Sequence, residues 1–207
     1  MALPPRIALA TKNEHKLVEI IRICSDWPVE WVTVHDRDAG TFPEVDETGE
    51  TYLDNAALKA RAVADALRIP ALADDSGIEV DALGGRPGVL SARYGGEGLS
   101  DEDRCAAMLR ELHDIPPERR SARYRCVVAL STPEGREVTT EGVVEGILLD
   151  RPRGKGGFGY DPLFYYPALG ATFAELAPEA KHAVSHRGQA MARARRILLE
   201  WGHGPPS

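Results

Sequence analysis

Asp74 and Asp75 stand side by side in ALADDSG, residues 71–77, directly after a short apolar run. Two neighbouring carboxylates repel, and a cation relieves the repulsion. Hard divalent ions take oxygen ligands, and Mg2+ commonly uses one or two carboxylates plus substrate phosphates. In extended backbone, consecutive side chains point to opposite faces. The two aspartates therefore should have different jobs, one facing a cleft and the other supporting from behind. Asp46 and Glu47, in an acidic stretch upstream, are candidates for a further ligand. A solvated acidic turn capped by Ser76 is the plain alternative at this point.

Cations sit at unusual places too. In ATKNEHK, residues 10–16, Lys12 and Lys16 fall just before or within the first turn of an expected helix. The helix dipole disfavours cations there by a few tenths to about 1 kcal/mol. A bound anion would reverse the sign, since free backbone N–H groups and a lysine together suit a phosphate. The glycines of a Walker motif are missing, and Thr11 or Asn13 could equally be a simple cap. In SHRGQ, residues 185–189, Ser185 reads as an N-cap with His186 and Arg187 in the first turn. With Lys181 nearby, these suit a ligand site. Between them, GGFGYDP (156–162) sets Phe158 and Tyr160 among glycines. Glycine permits close backbone approach, and an aromatic ring held there can stack on a planar base.

Periodicity supplies the elements that must position these groups. Ile7 to Ala10 reads as a buried strand, and Glu14 to Ile23 as a helix with Leu17, Ile20, Ile21 and Cys24 on one face. Trp31 to Val34 suits a second strand, and Asp36 to Glu50 an acidic loop. A helix follows over Thr51 to Leu67, with Leu53, Ala57, Ala60, Ala64 and Leu67 inward. Asn55 and Lys59 share another of its faces. Ala71 to Ala73 reads as a strand ending at the aspartates, and Ile78 to Val80 has the apolar pattern to continue it. Ser100 opens a helix, with Asp103 placed for a capping box. Cys105, Met108, Leu109 and Leu112 line it, and Pro116 and Pro117 stop it. Ala122 to Leu130 and Glu137 to Leu149 flank the turn signal Thr132-Pro133-Glu134-Gly135, a hairpin pattern. A last helix runs from Ser185 to Trp201, with Ala190, Ala194, Ile197, Leu198 and Trp201 inward. Residues 203–207 read as a disordered tail. The alternation predicts an α/β fold, a mixed sheet with helices packed on it.

The 207 residues allow one domain, or one core with two lobes. A formal net charge of -7 argues against a nucleic-acid partner. No apolar run reaches the ~20 residues of a membrane span, and no secretory signal is visible. Cys24, Cys105 and Cys126 are widely spaced in apolar contexts, which suits buried free thiols in a reducing cytoplasm.

Taken in order, ATKNEHKLVEI, ETGETYLDNAALKA, ALADDSGIEVDALGGRPGVLSARY, GGFGYDP and SHRGQA resemble the inosine/xanthosine triphosphate pyrophosphatases, the Ham1-like or RdgB-like house-cleaning enzymes. The match extends from residue 10 to residue 190. It implies an elongated α/β structure with two lobes around a central cleft. It implies a Mg2+-dependent enzyme, usually a homodimer, that splits ITP, dITP or XTP into monophosphate and pyrophosphate. The family's triphosphate loop falls on Thr11, Lys12, Asn13 and Lys16, and its helix lysine, counted here with the catalytic groups, on Lys59. The catalytic aspartate falls on Asp75 and the following substrate contact on Ser76, with metal ligands among Asp46, Glu47, Asp74 and Asp75. The base-binding segment falls on Phe158, Gly159, Tyr160 and Asp161, with Phe158 as the stacking ring. Lys181, His186 and Arg187 take the remaining nucleotide contacts. Lys12 departs from the family pattern, where glycine is frequent. A Maf-like pyrophosphatase of modified pyrimidine nucleotides and a non-catalytic nucleotide-binding regulator are the alternatives.

Overall fold

The computed structural model describes residues 3–36 and 42–201. Ile7, Ala8 and Leu9 are fully buried in β1 (Arg6–Leu9). The chain then forms α1 (Glu14–Ile23) and β2 (Glu30–Val32). Next come α2 (Tyr52–Leu67), β3 (Ala71–Val80) and α3 (Asp101–Glu111). The hairpin is β4 (Ser121–Ser131) and β5 (Glu137–Leu148), closed at its turn by Thr132 N–H donating to Arg136 O at 2.9 Å. Short strands β6 (Phe164–Tyr166) and β7 (Ala171–Thr172) precede α4 (Pro178–Val184) and α5 (His186–Trp201).

The strands make one mixed sheet in the order β2-β1-β3-β4-β5-β6-β7. β1 runs parallel to β2, with Ile7 opposite Trp31, and parallel to β3, with Ala8 opposite Ala71. Parallel neighbours need long crossovers, which α1 and α2 provide. β6 runs antiparallel to β5 and β7. The predicted α/β class with helices and a mixed sheet is therefore the observed one.

The chain divides into two compact units. The first is Met1–Asp75, Cys126–Gly142 and Arg187–Ser207; the second is Ser76–Arg125 and Val143–His186. The core of the first joins Leu17 and Ile20 of α1, Leu72 of β3, Val128 and Leu130 of β4, and Met191 and Leu198 of α5. The core of the second is built on Ile78, Met108, Leu112, Tyr124, Phe164 and Phe173.

Several details differ from the sequence reading. β3 does not end at the aspartates but runs through them to Val80, so both carboxylates sit in mid-strand. Charged residues are normally depleted there; here cations beside them compensate. Ile21 and Leu53 face solvent, at 37% and 46% exposure, and Leu67 is half-buried. Both helices carry more apolar residues than their buried stripes cover, with Val18 of α1 and Leu58 of α2 also facing solvent. Ser100 does cap α3, its Oγ accepting from Asp103 N–H at 3.1 Å. α5 begins at His186, and α4 ahead of it, with β6 and β7, had no clear periodic signal. Part of the expected acidic loop, residues 37–41, lies outside the described residues, as do the side chain of Trp201 and the expected tail 203–207.

Candidate active site

The first unit gathers the predicted phosphate and acid groups. Thr11, Lys12 and Asn13 lead into α1, where Asn13 is the N-cap and its Oδ1 accepts from Lys16 N–H at 3.1 Å. Thr11 Oγ1 in turn accepts from Asn13 N–H. Lys12 turns to an exposed pair with Glu44 at 3.1 Å. Lys16 instead reaches inward, its Nζ 3.4 Å from Asp74 Oδ2. A cation in the first turn of a helix is thus offset by a buried carboxylate from β3.

Asp74 and Asp75, adjacent in an extended strand, have separate surroundings. Asp74 is 1% exposed. Its Oδ2 accepts from Arg187 Nε at 3.1 Å and Nη2 at 3.0 Å, while Arg187 Nη1 donates to the buried Glu19 of α1. Arg187, expected as a nucleotide contact, pairs here with two carboxylates of its own unit. Asp74 Oδ1 is buried and has no hydrogen-bond partner among the described residues. Burial pushes the Asp74 pKa up, but Lys16, Arg187 and Lys59 outweigh it and hold the carboxyl well below its usual range.

Asp75 accepts from Asn55 Nδ2 at 3.2 Å through Oδ2, and its Oδ1 lies 3.6 Å from Lys59 Nζ. Lys59 also donates to Glu47 Oε1 at 2.8 Å. Asn55 Oδ1 accepts from Gly49 N–H at 2.8 Å, fastening the acidic loop to α2. Burial raises the Asp75 pKa; Lys59 and Lys16 pull it down, Glu47 and Asp74 push it up, and the net shift is upward. Burial works against the Lys59 charge, but Asp75, Asp74 and Glu47 overcome it and the lysine pKa rises. Asp46 is exposed on the same loop and makes none of these contacts. Glu19 and Asn55 were not anticipated as site residues. Asn55 had a signal, a polar residue sharing a helix face with Lys59; a lone Glu in an amphipathic helix has none.

These donors can be weighed against a divalent ion. Among the described residues, no three or more His, Cys, Asp or Glu side chains gather into a metal cage. Asp75 and Glu47 flank one ammonium, and Asp74 keeps an unpaired buried oxygen. That set fits Mg2+, which takes few protein carboxylates and completes its shell with water and phosphate oxygens.

The second unit holds the predicted base-binding groups. Asp161 is 2% exposed, and its Oδ2 accepts from Lys181 Nζ at 2.6 Å and Phe158 N–H at 3.0 Å. The Lys181 ammonium lies 5.0 Å from the Phe158 ring centroid. Gly157 has φ +71°, and a Cβ there would overlap the Asp161 carboxylate, so the loop needs glycine at this position. Gly159 N–H donates to Asp101 Oδ2 at 2.6 Å, and Tyr160 OH donates to Ser91 O at 2.8 Å. The His186 ring stacks on Tyr124 at 4.6 Å and 9°, and Tyr124 OH donates to Asp161 Oδ1 at 3.2 Å. Phe158, Asp161, Lys181 and His186 thus form one cluster connected through Tyr124, while Gly159 and Tyr160 of the same loop are held by Asp101 and Ser91. Ser76 lies half-buried in β3. Asp101 and Tyr124 were not anticipated; both are polar residues inside otherwise ordinary helix and strand patterns.

The model of the Ham1 family matches residues 7–197. The chain is 51% identical over 187 residues to a dITP/XTP pyrophosphatase of Geobacter sulfurreducens, covering 90% of this chain and 93% of that one. It is 47% identical over 188 residues to the dITP/XTP pyrophosphatase of Geobacillus kaustophilus, covering 90% and 91%. The solved structure of a HAM1 protein from Coxiella burnetii superposes with a TM-score of 0.84 at 40% identity, over 97% of this chain and all of that one.

Proposed function

The chain belongs to the Ham1 family, and we propose that it hydrolyses inosine, deoxyinosine and xanthosine triphosphates between the α and β phosphorus atoms. The products are the nucleoside monophosphate and pyrophosphate, and the effect is to clear such nucleotides from the pool. One observation carries the reading: Asp75, buried with its pKa raised, stands against Lys59 in the same unit as Lys16 and the N-terminus of α1.

Phosphoryl chemistry is mainly positioning and stabilisation of developing charge. Lys16, Lys59 and the positive end of the α1 dipole are the cations and dipoles available to a triphosphate. Asp75 is the base that takes a proton from the attacking water. Burial raises its pKa from the ordinary aspartate value, which moves it toward working pH and favours proton transfer. Asp74 is held ionised by Arg187 and keeps Lys16 in place. Asp75 and Glu47 would hold Mg2+, with Asp74 Oδ1 and Asp46 as further donors. When bound, the ion supplies charge neutralisation on the phosphates and a lowered water pKa.

Base choice falls to the second unit. A buried site that presents donors to a 6-keto oxygen leaves polar groups unpaired against the amino group of adenine, which can discriminate by ~10⁴ or more. Lys181 and His186 are the donors for that oxygen, and Phe158 is the stacking ring. Three buried free cysteines support a reducing cytoplasmic setting. Among the described residues no helix is long and apolar enough to cross a membrane. A homodimer is proposed from family membership and is checked by light scattering.

Steady-state kinetics with ITP, XTP, GTP and ATP, with Mg2+ and with EDTA, test the reading. Mg2+-dependent turnover of ITP and XTP with little of ATP is expected. Preference for modified pyrimidine nucleotides would favour the Maf-like alternative, and absence of turnover a binding regulator.

A further inference from the structure

Tyr124, on β4, touches two members of the cluster that holds Asp161, Lys181, Phe158 and His186: the Asp161 carboxylate and the His186 ring. Its ring is 7% exposed and clamped, 4.7 Å from Phe164 and 5.9 Å from Phe173, the latter nearly coplanar. The His186 imidazole lies on it at 4.6 Å and 9°. Its hydroxyl donates to Asp161 Oδ1, while the other oxygen of that carboxylate receives Lys181 and the Phe158 backbone. One rigid side chain therefore sets the plane of the imidazole and one edge of the carboxylate that anchors the lysine and the stacking loop. The aliphatic and aromatic neighbours would accept any apolar residue of this size. A buried hydroxyl without a partner is costly, and this one has Asp161. Burial raises the phenol pKa well above its ordinary value, with Asp161 adding to it, so the group remains a donor at working pH.

We infer that Tyr124 is a positioning residue for base selection, its ring fixing His186 and its hydroxyl fixing Asp161. The inference rests on the proposed assignment of this cluster to the nucleobase. Discrimination by hydrogen bonding needs donors held within about 0.5 Å of their working positions, and a clamped aromatic plate provides that for an imidazole.

Tyr124→Phe and Tyr124→Met separate the two roles, since Met fills the volume without a ring. Wild-type turnover of ITP tests the underlying assignment; the variants test Tyr124. Three quantities are read for each: KM and kcat for ITP, the ITP-to-ATP selectivity ratio, and the inhibition constant of inorganic tripolyphosphate, which carries no base. On the placement argument, Tyr124→Phe is expected to raise the ITP KM about 3-fold, and Tyr124→Met about 30-fold with selectivity down at least about 10-fold. In both, kcat stays within about 3-fold and tripolyphosphate inhibition is unchanged. A ring that merely fills the core would weaken ITP and tripolyphosphate together, or leave selectivity intact in Tyr124→Met, and either result overturns the inference. If Tyr124→Met fails to fold, Tyr124→Phe decides: an unchanged ITP KM overturns it, and a raised KM with unchanged tripolyphosphate inhibition supports it.

Discussion

Lys59 Nζ stands 3.6 Å from Asp75 Oδ1 and 2.8 Å from Glu47 Oε1, one ammonium serving two carboxylates. The sharing is unequal in effect. Asp75 remains harder to ionise than an ordinary aspartate, because burial and the charges of Glu47 and Asp74 exceed the pull of the two lysines. A carboxyl whose folded pKa is raised costs stability while ionised, above that pKa. The cost disappears as pH falls through the folded pKa and below the unfolded value of about 3.9. Asp75→Asn should therefore melt at a higher temperature than wild type at pH 7 in metal-free buffer. The difference should close as the pH approaches 4. Calorimetry across that range checks the sign.

Removing the cation has the opposite effect. Lys59→Met leaves Asp75 and Glu47 facing each other without compensation, and breaking a partly buried pair costs about 3 kcal/mol. A lower melting temperature is expected, together with a fall in kcat of about 10²-fold or more from the lost phosphate electrostatics. A variant as stable and active as wild type would show the ammonium to be incidental.

Lys12 and Lys16 are four residues apart and should behave differently. Lys12 and Glu44 are both exposed, and such pairs contribute about 0–1 kcal/mol. Lys12→Ala should keep kcat/KM for ITP within about 3-fold on that scale. Lys16 is mostly buried against Asp74, and Lys16→Ala should raise the ITP KM at least about 10-fold, in line with loss of a charge-assisted phosphate contact. Parallel kinetics on the two variants separate them.

The sequence showed the α/β class and both strings of charged groups. Where one periodic face carries the burial, as in α1 and α2, the element and its boundaries are legible to within a residue or two, whereas α3 stops at Glu111, short of the Pro116 and Pro117 expected to end it. The aspartates were misplaced within β3 because acids usually end a strand, and the cations that permit them in mid-strand come from α1, α2 and α5. Nothing in SHRGQ reports that Glu19, 168 positions earlier, meets the Arg187 guanidinium. Tyr124 and Asp101 were silent for the same reason: their partners are remote in the chain, and local pattern carries no record of them.

Gly157 offers a test of the proposed base loop that removes no charged group. Its φ of +71° and the Asp161 carboxylate beside it exclude a side chain. Gly157→Ala should displace Asp161 and with it Lys181 and Phe158. An ITP kcat/KM lower by about 10²-fold is expected, as misplacement of about 1 Å can cost that much. Inhibition by tripolyphosphate should persist. Equal loss of both would mean general unfolding instead.

The chemistry is tested most directly by 31P NMR of ITP incubated with the wild-type enzyme and Mg2+. Inosine monophosphate and pyrophosphate should grow in together, one for one. Inosine diphosphate with orthophosphate, or an unchanged triphosphate spectrum, would contradict attack at the α phosphorus and the account built on Asp75.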